Sequence, residues 1–486
     1  ARPQPQPQRF DRWDRRALAA AAAITAWVFA AKLKAFLDLC FTSDLFIQTQ
    51  LARSWFEGHF LEDNCYGHHL AIHTYFFLPL LGLLAKPLGA PGLLLAAALA
   101  VGASVFLAHR VLRLLEVPDP VALAAAIALV CLPTSVWVFG DALGFHVDLM
   151  LLPLGLGLFY ALLRRSLAGA LVMTVLVCSV KEDAPIVAAV VALTVLVEAR
   201  LGERSWHRPA LASVALAAVL LPVLFHIKDS QAQAQYSVNH LALLSGSTQG
   251  AVSGVGSLPG FIGRGAVSWV AFSFRHGWPL LFVAATLGTL LLRPWLAPIG
   301  FATTAVAWLM GGVAMMPHQD LRWSNRAIAP SVFWWCVMLL GFASLWRWSA
   351  PFEARRRRRL AQIGAVIVAA CFAVQLAFAL RAWDAIDLNL LRPSPFTAEE
   401  RAQADALFAI YRRDARPADP VAASPALFRY AHDRNLFWLD RLQGRPRPLW
   451  ILQDGDWPFT DFGLRADDYT IIGRNGRFVL FRRRAD

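Results

Sequence analysis

Charge is what this sequence has least of. Only 16% of its 486 residues are Asp, Glu, Lys or Arg, while 57% are hydrophobic; a soluble domain carries nearer about a quarter charged residues. That shortfall argues against an ordinary soluble enzyme. Cysteine is sparse as well. The six present form no Cys-x-x-Cys pair, and most fall inside apolar runs, where Cys behaves as a small hydrophobe. Cys40 and Cys65 both fall near one membrane surface in the topology below, although their spacing does not require a disulfide. A Walker loop, a dinucleotide glycine fingerprint, a His-Glu-x-x-His zinc motif and a Gly-x-Ser-x-Gly elbow are all missing where they could work. Nothing supports a soluble nucleotide cofactor. The alternating pattern of a transmembrane β-barrel is absent too.

What the chain does have is long apolar runs of the kind bilayer spans require, about 20 residues each. The mean hydropathy is +0.48. The net charge of +13 invites a nucleic-acid reading, but the arginines sit in short segments between apolar runs: Arg9 to Arg16, Arg110 and Arg113, Arg164 and Arg165, Arg200 to Arg208, Arg347, and Arg355 to Arg359. That is the positive-inside pattern of cytoplasmic loops, and nucleic acid is not an expected partner. Spans are expected at 17–40, 91–109, 121–139, 147–163, 167–180, 184–199, 209–226, 279–292, 296–316, 328–346 and 360–380. The apolar stretch 70–88 is read as a juxtamembrane segment, because counting it as a span would put every later basic loop outside. This gives eleven spans, with the N-terminus inside and the C-terminus outside.

Three divisions follow. Residues 1–16 read as a disordered basic tail, Pro/Gln-rich at its start. Residues 17–380 form an all-α membrane bundle with external loops at 41–90 and 227–278, the second rich in Ser, Gly and Gln. Residues 381–486 form a small extracytoplasmic α/β domain. In it Ala404–Tyr411 reads as a helix, Pro448–Leu452 and Tyr469–Ile472 as strands, and Asn475-Gly476 opens a hairpin turn into Arg477–Phe481.

The same topology places the polar residues on one side. Lys181-Glu182-Asp183 interrupts about thirty apolar residues from Leu167 to Val197, and a charge at the bilayer centre costs roughly 2.5–3.5 kcal/mol even on the mild insertion scale. Either the triplet pairs internally at the tip of two short helices, or Lys181 neutralises a phosphate and Glu182 or Asp183 holds a sugar hydroxyl. Asp44 follows the first span. It is placed to act as a general base, and with Ser43 it is equally a good helix N-cap. The stretch it opens, Leu45–Phe60, suits an amphipathic interfacial helix. His69 and His73 stand four apart, a spacing that permits a metal pair and equally suits interfacial hydrogen bonding. His146 and Asp148 sit at a helix entry or line a cavity. Arg322 and Arg326 run against the positive-inside trend, which an anionic lipid head or a phosphate substrate would explain.

In order along the chain, Asp44-Leu-Phe-Ile-Gln, the histidines around His69, Phe145-His146, Lys181-Glu182-Asp183 and the ending Tyr469-Thr-Ile-Ile-Gly-Arg-Asn-Gly-Arg-Phe-Val-Leu-Phe resemble the bacterial domain-of-unknown-function 2079 family. That family looks related to the GT-C integral-membrane glycosyltransferases. The resemblance implies a GT-C-like bundle of about 11 transmembrane helices with juxtamembrane helices, located in the bacterial inner membrane. It also implies a polyprenyl-phosphate-linked sugar donor and a glycan, lipid or protein acceptor on the outer side. On this reading Asp44 is the base, with His146 and Asp148 assisting; Lys181, Arg322 and Arg326 bind the phosphate; Glu182, Asp183 and His69 bind substrate. The resemblance fixes no cofactor and leaves open a divalent metal, for which His69 and His73 are weak candidate ligands. The paired Asp-Glu of protein mannosyltransferases is not found at Asp44, where leucine follows. The rival readings are a non-catalytic subunit of a larger membrane complex and a lipid-linked-glycan transporter.

Overall fold

A computed structural model describes residues 10–41, 44–64, 67–130, 144–201, 207–231, 293–296, 298–299, 328–349, 394–439, 447–455 and 463–484. Asp11 starts the first helix. Its carboxylate accepts the N–H groups of Trp13 and Asp14 at 2.7 and 3.1 Å, and Asp14 returns a bond to the Asp11 N–H. This capping box sets α1 at Arg12–Leu37, five residues ahead of the start expected from apolar content alone. Next come α2 (Asp44–Ser54), the two-residue strands β1 (Glu62–Asp63) and β2 (Gly67–His68), α3 (Leu78–Leu88), α4 (Ala90–Leu114) and α5 (Asp119–Val130). A 3₁₀ turn at Val147–Met150 leads into α6 (Leu151–Leu163), followed by α7 (Leu167–Cys178), α8 (Ala184–Leu201), α9 (His207–Gln231) and α10 (Ile328–Ser349).

The helices alternate in direction, so the bundle has two ends. At one, buried Asp14 meets Arg110 at 2.6 Å and Arg113 at 2.9 Å, while Arg113 also reaches Asp11 and Asp119. The other end gathers the exit of α1, the start of α2, the 144–150 entry, the α7–α8 connection and the last turn of α9; we call it the site end. α1 lies close on α4 because Gly102 has no Cβ: one there would collide with Thr25 Oγ1 and the Ala21 carbonyl. Small residues at such crossings let helices in a bilayer approach closely.

Among the described residues three helical segments are long and apolar enough to cross a membrane: Arg12–Leu37, Ala90–Leu114 and His207–Lys228. The expected count of eleven spans is not confirmed by the described residues. The helix α7 has 12 residues, about 18 Å at 1.5 Å per residue, against a hydrocarbon core of about 30 Å. The polar triplet at 181–183 stops it. Within 70–88 the one α-helix is α3, 11 residues long. The helix α2 departs from the interfacial reading: Leu45, Phe46, Ile47, Gln48, Thr49, Leu51 and Ala52 are all buried, so protein covers it on several sides. Lys228 belongs to the last turn of α9 and not to a loop. The expected spans 279–292 and 360–380, nearly all of 296–316, the remainder of the 227–278 loop, Ser43 and Cys65 lie outside the described residues.

The C-terminal layer is α/β. Its helix α11 (Ala398–Asp414) begins with a capping box between Thr397 and Glu400 and extends the expected 404–411 segment at both ends. The strands β3 (Pro420–Ala423), β4 (Asn435–Trp438), β5 (Trp450–Asp454), β6 (Tyr469–Asn475) and β7 (Phe478–Arg483) form one sheet in the order β4-β3-β5-β7-β6. The first three are parallel and the β6–β7 hairpin is antiparallel, turning at Gly476 with φ +57°. Phe408 and Tyr411 of α11 pack on Phe478 and Trp450. This layer covers the site end. Gln50 donates to the Leu436 carbonyl at 2.6 Å, Asn64 to Asn435 at 2.7 Å, Arg401 pairs with Asp38 at 3.1 Å, and the Phe46 and Phe428 rings meet edge to face.

Candidate functional site

Lys181-Glu182-Asp183 fills the tight connection between α7 and α8. The Phe77 N–H donates to the Ser179 carbonyl at 2.8 Å, which binds the segment 72–77 to that connection. The triplet does not satisfy itself, as one expectation had it. Glu182, 3% exposed, finds its partners on two other elements. Its Oε1 meets His73 Nδ1 at 2.9 Å and Lys228 Nζ at 2.8 Å, and its Oε2 accepts the Thr74 N–H at 3.2 Å. Burial pushes this carboxyl up, but His73 and the ammonium groups of Lys181 and Lys228 together hold it well below the usual carboxylate range. Asp183 goes the other way: burial raises it, Glu182 and Asp148 add to the rise, and Lys181 opposes it.

Lys181 reaches across to the 147–150 turn, where its Nζ lies 3.5 Å from Asp148 Oδ2. Asp148 Oδ1 is buried without a hydrogen bond, 3.5 Å from His146 Nδ1. The other ring nitrogen of His146 lies 3.3 Å from the Tyr75 hydroxyl. Burial lowers the proton affinity of His146, yet the charges of Asp148 and Asp44 outweigh it and the net direction is up. The turn is fixed from α2, since Gln48 accepts the Val147 N–H at 2.8 Å, and from α1, since buried Lys32 donates to the Gly144 carbonyl at 2.9 Å.

Tyr75 is the centre of this arrangement. Its ring stacks on His69 at 5.5 Å, lies 4.9 Å from His73 and meets His146 edge to face. His69 is held by Asp63 at 2.8 Å. Asp44, in the first turn of α2, is close enough for its charge to act on both Tyr75 and His146.

Of the residues singled out from the sequence, Asp44, His69, His73, His146, Asp148, Lys181, Glu182 and Asp183 therefore converge at one end of the bundle. Arg322 and Arg326 lie outside the described residues. Each Nδ1 of His69 and His73 is taken by a different carboxylate, and among the described residues no group of three or more His, Cys, Asp and Glu converges as ligands. Sequence reasoning missed Lys32, Gln48, Tyr75 and Lys228. Lys32 and Lys228 had a usable signal, since a lysine within or just after an apolar helix needs a partner. Tyr75 and Gln48 had none.

The family described as "Predicted membrane protein (DUF2079)" matches residues 38–428. No curated protein matches the chain. Among solved structures, that of ArnT from Cupriavidus metallidurans, bound to undecaprenyl phosphate, has a TM-score of 0.51 at 15% identity, covering 96% of this chain and 97% of that one. The likeness is one of fold.

Proposed function

The chain belongs to the DUF2079 family of predicted membrane proteins, and on that footing we propose that it is a membrane glycosyltransferase. It takes a sugar from a polyprenyl-phosphate donor to an acceptor on the extracytoplasmic side of the inner membrane. One observation carries the reading: a lysine exposed at 14%, Lys181, opposes Asp148 and is flanked by His146 and Asp44, at the site end of a fold like that of a protein solved with undecaprenyl phosphate. Two divisions go with it, a membrane domain at 17–380 and an extracytoplasmic layer at 381–486.

In the proposed step the bond from the sugar anomeric carbon to the phosphate oxygen breaks and a bond from the acceptor oxygen or nitrogen to that carbon forms. The acceptor proton passes to Asp44. The bonding electrons leave with the phosphate, whose growing charge Lys181 meets by exchanging its Asp148 contact for a phosphate oxygen. Lysine suits this role as a compact, strongly charged donor. His146, whose proton affinity the charges of Asp148 and Asp44 raise, stands beside Asp148 in the same pocket. Fixed charges of this kind in a water-poor site are worth several kcal/mol of barrier.

The second reading, a non-catalytic subunit or a transporter, draws on the internal pairing of Glu182 with Lys228, which a purely structural scaffold would also show. The two separate in one assay with purified protein in vesicles, a polyprenyl-phosphate sugar and a panel of acceptors. Transfer that falls on the order of 10²-fold or more in Lys181→Met and Asp44→Asn supports the enzyme. Transfer unchanged in Asp44→Asn removes it as the base. No transfer by the wild type, together with no polyprenyl phosphate co-purifying by mass spectrometry, favours the subunit.

A further inference from the structure

Three imidazoles surround Tyr75, and they differ in what they can still offer a ligand. His146 is engaged at both nitrogens, by the Tyr75 hydroxyl and by the Asp148 backbone N–H, which donates to Nδ1 at 3.3 Å, and its side chain is 5% exposed. The His69 side chain is 6% exposed and locked to Asp63. The His73 side chain is 30% exposed. Its Nδ1 meets Glu182, and its Nε2 makes no hydrogen bond among the described residues.

The state of His73 follows from its partner. Ionised Glu182 accepts hydrogen bonds and donates none, so the shared proton at 2.9 Å sits on His73 Nδ1. Glu182 cannot swing away to accommodate the other tautomer, because it also holds Lys228 and the Thr74 N–H. Burial, with Lys181 and Lys228 adding to it against the pull of Glu182, takes the imidazole down to about 4. At neutral pH His73 is therefore uncharged, and Nε2 presents a lone pair to the open side. A fixed acceptor beside two ammonium groups cannot take a phosphate oxygen, which brings lone pairs of its own. It can take a hydroxyl.

We propose that His73, held in one tautomer by Glu182, is a specificity-determining residue whose Nε2 accepts a hydrogen bond from a ring hydroxyl of the sugar carried on the phosphate that Lys181 binds. The inference rests on the glycosyl-transfer reading. The phosphate at Lys181 puts the attached sugar near His73, because both lysines are close enough to act on that imidazole. A site built to hydrogen-bond a hydroxyl discriminates against analogues lacking it, since its own polar group is then left unpaired. Glu182 acts as a positioning residue: it touches no substrate and sets which nitrogen of His73 carries the proton.

Two measurements test this. The first does not depend on activity: full-length protein with ¹⁵N-labelled histidine, reconstituted in nanodiscs, with His73 assigned by its loss in His73→Gln. Nδ1 protonated and Nε2 bare at pH 7 is the expected result; a proton on Nε2 overturns the proposal. The second compares transfer from polyprenyl-phosphate donors that differ by removal of one ring hydroxyl each. Wild type is expected to reject one deoxy donor by roughly tenfold or more. His73→Ala is expected to lose that preference, through a drop in kcat/KM for the hydroxylated donor alone. Transfer by the wild type with the same preference kept in His73→Ala overturns the inference and leaves the transferase reading standing. No transfer by the wild type from any donor overturns the transferase reading and this inference with it.

Discussion

Replacing Glu182 by Gln keeps the size of the side chain and removes the charge on which His73, Lys228 and the Thr74 N–H converge. Lys228, 13% exposed, then faces a neutral amide. Breaking a buried pair from one side costs about 3–5 kcal/mol, because the remaining charge stays uncompensated. Glu182→Gln is therefore expected to lower the thermal midpoint in detergent by several degrees. The double variant Glu182→Leu, Lys228→Leu is expected to recover part of that loss; a single variant as stable as the wild type would show the contact to be dispensable. At this scale the sequence was generous with candidates and silent on partners. An apolar run broken by three charges must be explained, so Lys181, Glu182 and Asp183 stand out. That Lys181 turns to Asp148 and Glu182 to Lys228 depends on which helix ends meet, and nothing within a few residues of the triplet encodes that.

The helices were legible and their lengths were not. Apolar content finds α1, α4 and α9, but a capping box moves the start of α1; α7 ends within two residues of the end expected at 180. Buried α2 reads as amphipathic because its polar residues Gln48 and Gln50 spend their hydrogen bonds on protein instead of water. The strands β3 and β4 escaped notice for another reason: each has four residues, and parallel partners come from separate stretches of chain with no hairpin turn to announce them. The α1–α4 crossing makes the element-scale prediction. Gly102→Val places side-chain atoms where Thr25 and the Ala21 carbonyl already lie, and overpacking of this kind typically costs about 1–3 kcal/mol. A lower midpoint is expected with the site end otherwise intact. A variant of unchanged stability would mean that the two helices separate at little cost.

Across the whole molecule, the C-terminal layer is fastened to the bundle partly through His432. Its Nδ1 accepts the Ala90 N–H at the start of α4 at 3.3 Å, and its ring meets Phe36 edge to face. Burial takes this imidazole down to about 4; Asp433 opposes the shift, and Arg412, Arg53 and Arg429 reinforce it. An unfolded histidine titrates near 6.5. The undocked state therefore binds the proton first, and the contact's stability is fully present above pH 6.5 and lost as pH falls toward 4. Limited proteolysis of the 394–484 layer is expected to quicken across that window in the wild type. In His432→Asn, which can accept the same N–H, the pH dependence is expected to flatten. An unchanged profile would assign the dependence to another group.

The buried Asp14–Arg110 pair has a consequence for the order of synthesis. Asp14 leaves the ribosome 96 residues before Arg110, so α1 is complete long before its counter-charge exists. A nascent chain arrested ahead of Arg110 carries the Asp14 carboxylate at the start of α1 without its Arg110 partner. The first helix can settle fully into the bundle only once α4 has been made.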